Sequence, residues 1–578
     1  MRISPIQTST LLAITVMAGC QAPVDEVTVR TDDLIADRQA TLAGTPAGGV
    51  DLQPDEYVVG NPLPTETADL QDPPTFDPPA EDLDFQVVDE PDAEAEAVLE
   101  RIRSAEEEDQ DAEPLTLEGS IRWASMNSIE YTGAEESYLL AALSVVTAEH
   151  LFAPRFFNDT SVEVGKGIDP RYDSAYRAIN DFGVRQNLPF GGEVTARFIA
   201  DLTESIDDAS LGDGVQSATF VLDGRIPLLN GSGLAARESL VQSRRNLIYA
   251  SRSFETFRRD FLVAIVTDYL DLVLRINAID NSKRSVEMNR QVEEREGALV
   301  AAGREDPFQA DLARQATLFA LDDLARQQDR YRLALDRFKV RIGMDPERSI
   351  AIVPIELDLP IPEANQDQAV RQAFDYRLDL QTARDRLEDL RRRIDLAENG
   401  MLPNLDLIAR VRTNDPQLTD GVNFDFSEAL YAGGINLSLP LDRINEAVAV
   451  REAQVRYAQG ERAYQQTLDD AAVSVRQTLR DIDQAQFSLL LQERNVDIAK
   501  NRISSIDAAP DRANARDRTD AVTGLRDAED ARDGAKRNLQ VAILNYLNAV
   551  GVLRVTPEGL LQPLPNMPVG EISRVESP

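Results

Sequence analysis

The sequence predicts a mainly helical chain with a membrane β-barrel: long coiled-coil-like helices that form an α-barrel, and four β-strands per chain that close as a twelve-stranded barrel in a trimer. Three observations predict this. Residues 234–302 and 443–508 contain no proline and one glycine each. Four short segments alternate apolar with polar residues. The whole arrangement occurs twice in 578 residues, a length too great for one compact core.

At the N-terminus, Arg2 precedes an apolar run, Leu11 to Val16, with Ala18 and Gly19 just before Cys20. This is the layout of a secretory signal with a small-residue processing site. The run is about half of what a membrane-spanning helix needs. Met17-Ala18-Gly19-Cys20 resembles a bacterial lipobox, in which the thiol becomes the lipid attachment point. Gln21 in the next position resembles the outer-membrane destination of such lipoproteins. Residues 1–20 are therefore read as a lipoprotein signal peptide; an ordinary signal with an incidental cysteine is the other reading. A single cysteine makes no internal disulfide, and a single histidine, His150, leaves little for metal or triad chemistry.

Residues 21–119 carry 28 acidic residues against 4 arginines and are rich in proline, as in "NPLPTETADLQDPPTFDPPAEDLDF". So little apolar surface does not offset chain entropy. The segment is expected to be a disordered acidic tether, or a tail that binds a partner. The net charge of −40 argues against nucleic acid, which wants a basic surface.

From Ile121 the composition turns to Ala, Arg, Glu, Leu and Gln with apolar residues at helical spacing. Each proline-free stretch spans roughly 100 Å as one helix, longer than a globular domain is wide. Such helices need neighbours alongside, in coiled-coil-like packing. The strand segments are "VTARFIADL" (194–202), "TFVLDGRIPLL" (219–229), "LDLIARVRT" (405–413) and "INLSLPL" (435–441). In the first, Val194, Ala196, Phe198, Ala200 and Leu202 share a face opposite Thr195, Arg197 and Asp201. Period two with one apolar and one charged face suits a wall with lipid on one side and water on the other. A half-exposed soluble hairpin shows the same alternation. Pro403 and Pro440 are read as punctuation where chain enters and leaves the strands. Trp123 and His150 have no motif around them and are read as packing residues.

Strand pair, long helix, glycine-containing break, second helix and "RIGMD" make up residues 120–355. The same series ending in "AVGVL" makes up 356–556, leaving a tail at 557–578. The repeat is far longer than a solenoid unit. Four strands cannot close a membrane barrel, since the smallest need about eight and an open edge leaves backbone groups unpaired in lipid. Three chains supply twelve, with the helices packing between chains into a hollow cylinder below.

These residues resemble the TolC-like outer membrane efflux proteins over about 134–556. "YRLDLQTARDRLEDLRRRIDLAENGMLPNLDLIARV" resembles that family's helix-into-strand segment, and "GINLSLPLDRINEAVAVREAQVRYAQGERAYQQTLDDAAVSVRQTL" the following strand and long helix. "FVLDGRIPLLNGSGLAARESL" resembles the same step in the first repeat, while "GREDPFQADLARQATL" and "RANARDRTDAVTGLRDAEDARDGAKRNLQVAILNYLNAVGVL" resemble the two returning helices. The sequence departs from the pattern in its acidic tether, in the short loop "ARVRTNDPQLTDGVNFDFSEALYAGG", and in "HLFAPRFFNDTSVEVGKGIDPRYDSAYR", which carries proline and glycine where a continuous helix is usual.

The resemblance implies a homotrimeric conduit, passive, without a cofactor. Its barrel crosses outer-membrane lipid, and its periplasmic helical extension reaches a periplasmic adaptor protein and an inner-membrane pump. It implies tips at the helix turns, with Gly303, Arg304, Glu305 and Asp306 at the first and Asp511 and Arg512 at the second as candidate adaptor contacts. Surface charge at a turn is the plain alternative. Asp517 and Asp520, three residues apart on one helix face, occupy the place where the resemblance implies acidic residues ringing a narrow entrance. Six such carboxylates in a trimer disfavour anions; a solvated helix face is the alternative.

Two other classes share some of these features. Paired carboxylates run glycoside hydrolysis, but aromatic content is only 6% and no nucleophile, phosphate-loop or metal-ligand spacing occurs, so the chain is not read as an enzyme. A lipid-anchored periplasmic coiled-coil adaptor shares the long helices and Cys20, but has no need of two strand pairs with charged faces.

Overall fold

The structure, a computed structural model, describes residues 29–37 and 112–562 apart from 169, 171–172, 207–214, 356, 358, 363–364, 416–423, 509–512 and 556–560. In chain order, α1 is residues 29–37. The first repeat then runs β1 (Glu113–Leu115), α2 (Leu117–Asn127), α3 (Ile129–His150), β2 (Arg155–Lys166), β3 (Ser174–Asn187), β4 (Glu193–Ser205), β5 (Val215–Pro227), α4 (Leu234–Ala301), α5 (Pro307–Arg341) and β6 (Ile350–Ile352). The second runs α6 (Gln366–Tyr376), α7 (Leu378–Gly400), β7 (Asn404–Asp415), β8 (Leu430–Ser438), α8 (Ile444–Ala508) and α9 (Ala515–Ala549), and two short strands, β9 (Arg554–Val555) and β10 (Leu561–Gln562), follow it.

The long helices form as expected. α4 has 68 residues and α8 has 65, each about 100 Å at 1.5 Å per residue. The helices lie side by side in two tiers. Next to the sheet the order is α3, α4, α7, α8; beyond the middle of the long helices it is α5, α4, α9, α8. Each long helix thus runs through both tiers, and the shorter ones divide the tiers between them. Apolar clusters hold the middle, where Tyr269, Phe338 and Ile342 pack with Ala124, and Val475 packs with Ile543 and Ala373. A buried polar network joins α4 to α7: Tyr249 donates to Asp389 at 2.7 Å, and Arg392 bridges Asp389 and Glu238 at 3.0 and 2.8 Å. Burial and that bond push the Tyr249 hydroxyl up to about 12.

The repeat is visible in two glycines. Gly343 after α5 and Gly551 after α9 both sit at positive φ, 73° and 80°, closing their helices as left-handed caps. Gly343 lies against the Asn127 carbonyl that ends α2, and Gly551 against Tyr376 at the end of α6.

Six strands, not four, form one antiparallel sheet in the order β2-β3-β4-β5-β7-β8. The expected four strands are β4, β5, β7 and β8. The stretch that broke the helix pattern at 150–177 is not an irregular helix: it ends α3 and forms β2 and the start of β3. Its alternation is blurred because Asn158, Thr160 and Asn180 sit among the apolar residues of one face, and Phe157 and Ile179 among the polar residues of the other. The three polar residues satisfy one another, since Asn180 donates to Asn158 and Thr160 at 2.7 Å each.

The expectation of a structureless tether over 21–119 fails at two places. Residues 29–37 are helical, with Leu34 and Ile35 packed near Tyr138 and Leu247. β1 pairs in parallel with β6. Residues 38–111, Cys20 and the tail beyond 562 lie outside the described residues. Trp123 packs as expected, with Arg348 over its ring at 4.8 Å. His150 does not: it is exposed in the last turn of α3, where a cation complements the helix dipole. No described helix is long and apolar enough to cross a membrane.

Candidate functional site

Two places in this fold bear on the conduit that the sequence leads one to expect: the faces of the sheet, and the far end of the helices. Strand register fixes the sheet faces. The row Val184–Ala196–Leu222–Val411–Tyr431 and the row Phe182–Phe198–Phe220 lie on one face. Tyr431, Ile435 and Leu437 of β8 continue it and are exposed.

The opposite face is polar and ion-paired across the strands. Arg177 pairs with Asp201 and Arg197 with Asp181 between β3 and β4. Arg185 pairs with Glu193 at 3.1 Å, Arg410 with Asp223, and Arg225 with Asp406 at 2.7 Å. The last two pairs cross the seam between repeats, β5 to β7. A wall so divided can meet hydrocarbon on one face and water on the other, and pairing the charges lowers the field they project.

The sheet and the helix layer both end in open edges on the same two sides. β2 and β8 are the terminal strands, fed by α3 and leading into α8. α8 buries only Ala471, Val475, Ile482 and Val496 of its 65 residues, and leaves Val473, Phe487, Leu490 and Ile498 exposed. At the other side Leu140 of α3 and Phe319, Leu333 and Val340 of α5 are exposed.

At the far end, the first turn is built by Gly303 at φ 67°, with Arg304 donating to the Leu299 carbonyl at 2.9 Å. Arg304, Glu305 and Asp306 are all exposed there, and Asp306 is the residue before α5 begins. Asp511 and Arg512 of the second turn lie outside the described residues. Asp517 and Asp520 are both exposed in the first turns of α9. Asp517 has local work as well: with Asn514 it makes a reciprocal capping box, Asp517 donating its backbone N–H to the Asn514 side chain at 2.9 Å. Asp520 stands 3.9 Å from Arg516.

Between those two aspartates, Arg518 turns inward to Glu296 of α4 at 3.5 Å. Both are almost fully buried, and this pair ties the start of α9 to the end of α4. Burial pushes the Glu296 carboxyl up, with the Arg518 charge opposing. Nothing in the sequence marks Glu296 out: it is one of four consecutive charged residues at 293–296, and only the fold selects which turns inward.

Near the sheet, Glu149 at the end of α3 accepts from Arg244 at 2.8 Å and pairs with Arg30 of α1. Burial alone would raise the Glu149 carboxyl. The hydrogen bonds and charges of Arg244 and Arg30 outweigh it and hold the group below the usual carboxylate range.

The comparisons agree with this geometry. Residues 369–551 match the family model of the outer membrane efflux protein, the family that the residues resemble. No curated protein matches the chain. Among solved structures, the outer membrane protein VceC of Vibrio cholerae superposes with a TM-score of 0.57 at 16% identity, over 75% of this chain and 96% of that one. CusC gives 0.58 at 13%, over 75% and 92%. The open-state MtrE outer membrane channel of Neisseria gonorrhoeae gives 0.54 at 15%, over 75% and 88%. The chain has the fold of outer-membrane channels.

Proposed function

We propose, from the outer membrane efflux protein match and the channel fold, that this chain is one protomer of a trimeric outer-membrane channel. It is the exit duct of a multi-component efflux or secretion system, conducting passively from an inner-membrane pump and a periplasmic adaptor. The observation that carries the reading is the sheet: one apolar face, one ion-paired face, and two edges left open where the helix layer is also open. An isolated open sheet in lipid leaves backbone groups unpaired, so the edges need copies of themselves. Strand directions alternate across the sheet, so β2 and β8 run oppositely. The β8 edge of one copy therefore meets the β2 edge of the next antiparallel, and head-to-tail contacts of this kind close into a ring.

Cys20 is the lipid attachment point in this reading. Only residues 21–28 separate it from α1, whose Arg30 is held at Glu149, six residues before β2 begins. That interval reaches at most about 30 Å, which keeps the lipid beside the sheet's helical end. The turns at Gly303–Asp306 and around Asp511 and Arg512 are the adaptor-facing tips, and Asp517 and Asp520 face the entrance between them.

The test is the protein mass of the detergent-extracted particle by light scattering. Three chains' mass supports the shared pore. A monomer, or a species that leaves membranes without detergent once residues 1–20 are replaced by a plain cleavable signal, overturns it in favour of a tethered adaptor.

A further inference from the structure

We infer that β3 and β4 are additional wall strands inserted into the first repeat, and that they widen the barrel to eighteen strands and raise the size limit of what its outer-membrane segment passes. The inference rests on the trimeric channel reading and concerns the bore of that channel.

The connectivity identifies the insertion. α3 feeds β2, β5 leads into α4, α7 feeds β7 and β8 leads into α8. Each of these strands has a helix beneath it. β3 and β4 have none; a turn over residues 188–192 joins them at the helical end of the sheet. That turn is built into the rim. Leu188 and Gly192 bond to each other, and the backbone N–H of Gly233, just before α4, donates to Phe190 at 2.9 Å. Gly192, at φ 93°, lies so close to the Arg225 carbonyl that a Cβ would stand 2.0 Å from it.

The two strands also carry the wall's chemistry on the correct sides. Phe182, Phe198 and Leu202 continue the apolar face, while Arg177–Asp201 and Arg197–Asp181 continue the paired-charge face. A hairpin folded into the lumen or laid on the outside would set one of these faces against the wrong medium. β3 and β4 have 14 and 13 residues, against 12 or 13 for β2, β5 and β7. Strands of that length, tilted about 40°, rise about 30 Å, the thickness of the hydrocarbon layer.

The widths agree as well. Strands about 4.8 Å apart and tilted about 40° take roughly 6 Å of circumference each, so six span about 38 Å and four about 25 Å. Four helices packed side by side at about 9 Å span about 36 Å. Six strands therefore cover the arc of the four helices below them. Barrel diameter grows roughly in proportion to strand number, so eighteen strands in place of twelve give about 1.5-fold the diameter and roughly twice the cross-sectional area.

Register supplies the test. Glu163, Arg177, Thr203 and Val215 stand in one row. Replacing residues 164–214 by Asn-Gly joins β2 directly to β5 with that row and both faces kept. Unmodified and shortened channels are then compared in planar bilayers for the largest polyethylene glycol that enters from the outer side. The unmodified channel should admit polymers about 1.5-fold wider than the shortened one. Equal cut-offs in two assembled channels overturn the inference. Electron cryo-microscopy of the unmodified trimer in nanodiscs decides it independently of whether the shortened chain assembles: eighteen wall strands support it, and twelve overturn it while leaving the channel intact. A particle without threefold symmetry and a closed wall overturns the channel reading, and the inference with it.

Discussion

Arg225 on β5 donates to Asp406 on β7 at 2.7 Å, and the two residues belong to different repeats of the chain. The partners are unequal. The Asp406 side chain is 3% exposed and that of Arg225 66%. Removing the arginine leaves a buried carboxylate without its charged donor, whereas removing the aspartate leaves an arginine that water can solvate. Arg225→Ala should destabilise the assembled channel by roughly 1–3 kcal/mol. The double change to Arg225→Ala and Asp406→Asn should recover part of it. The temperature at which the detergent-extracted particle dissociates reads both. A double variant weaker than Arg225→Ala alone would show that the seam does not depend on this pair.

The repeat makes a second prediction, from Gly343 and Gly551. Both need positive φ, which costs an ordinary residue about 1–2 kcal/mol. A Cβ on Gly551 meets the Tyr376 backbone at 3.0 Å, a contact that small shifts relieve. A Cβ on Gly343 would lie 2.0 Å from the Asn127 carbonyl oxygen, where only backbone movement helps. Gly551→Ala should therefore lower stability by about the conformational cost alone. Gly343→Ala should reduce the yield of assembled particle severely. Equal yields of the two variants would contradict the close approach of α2 to Gly343.

How much of this was legible in the sequence depends on how far each feature speaks locally. Helices α4 and α8 were legible because proline-free stretches with helical apolar spacing leave few alternatives. β4, β5, β7 and β8 were legible because one face of each is almost wholly apolar. β2 and β3 were not, because Asn158, Thr160 and Asn180 are satisfied by each other across strands, a pairing that local alternation does not reveal. α1 was hidden in an acidic stretch because its apolar contribution is two adjacent residues, Leu34 and Ile35, whose partners lie about one hundred to two hundred positions away. At the tips, the resemblance rather than the spacing singled out Asp517 and Asp520. The Asn514-to-Asp517 interval also reads as a capping box, and that signal was available in the sequence.

Glu149 predicts a pH dependence for the docking of α1. Its carboxyl is held below the usual range in the folded chain, so the group contributes stability above its ordinary value, near 4.3. That contribution is lost as pH falls through the lowered folded value. A spin label on Val29→Cys, an exposed position of α1, should stay immobilised at neutral pH and gain mobility only under acid. Glu149→Gln should raise the mobility at neutral pH and flatten the acid dependence. A label equally mobile in both chains at neutral pH would show that the Arg30 contact does not hold α1.

Asp517 and Asp520 demand a substitution that separates charge from capping. Asp517→Ala removes both: its carboxylate also accepts from the Asn514 backbone N–H at 3.4 Å, and loss of such a cap costs about 1 kcal/mol. Asp517→Asn keeps an oxygen in the same place and removes only the charge. If the two aspartates of each protomer ring the entrance, the Asp517→Asn, Asp520→Asn double variant should lose much of the channel's preference for cations with little change in thermal stability. Asp517→Ala should lose stability as well. Reversal potentials under a salt gradient in planar bilayers, set beside the dissociation temperature, divide the outcomes. A cation preference unchanged in the double asparagine variant, with stability lost in Asp517→Ala, would assign Asp517 to the capping of α9 and move the charge selection elsewhere on the conduit wall.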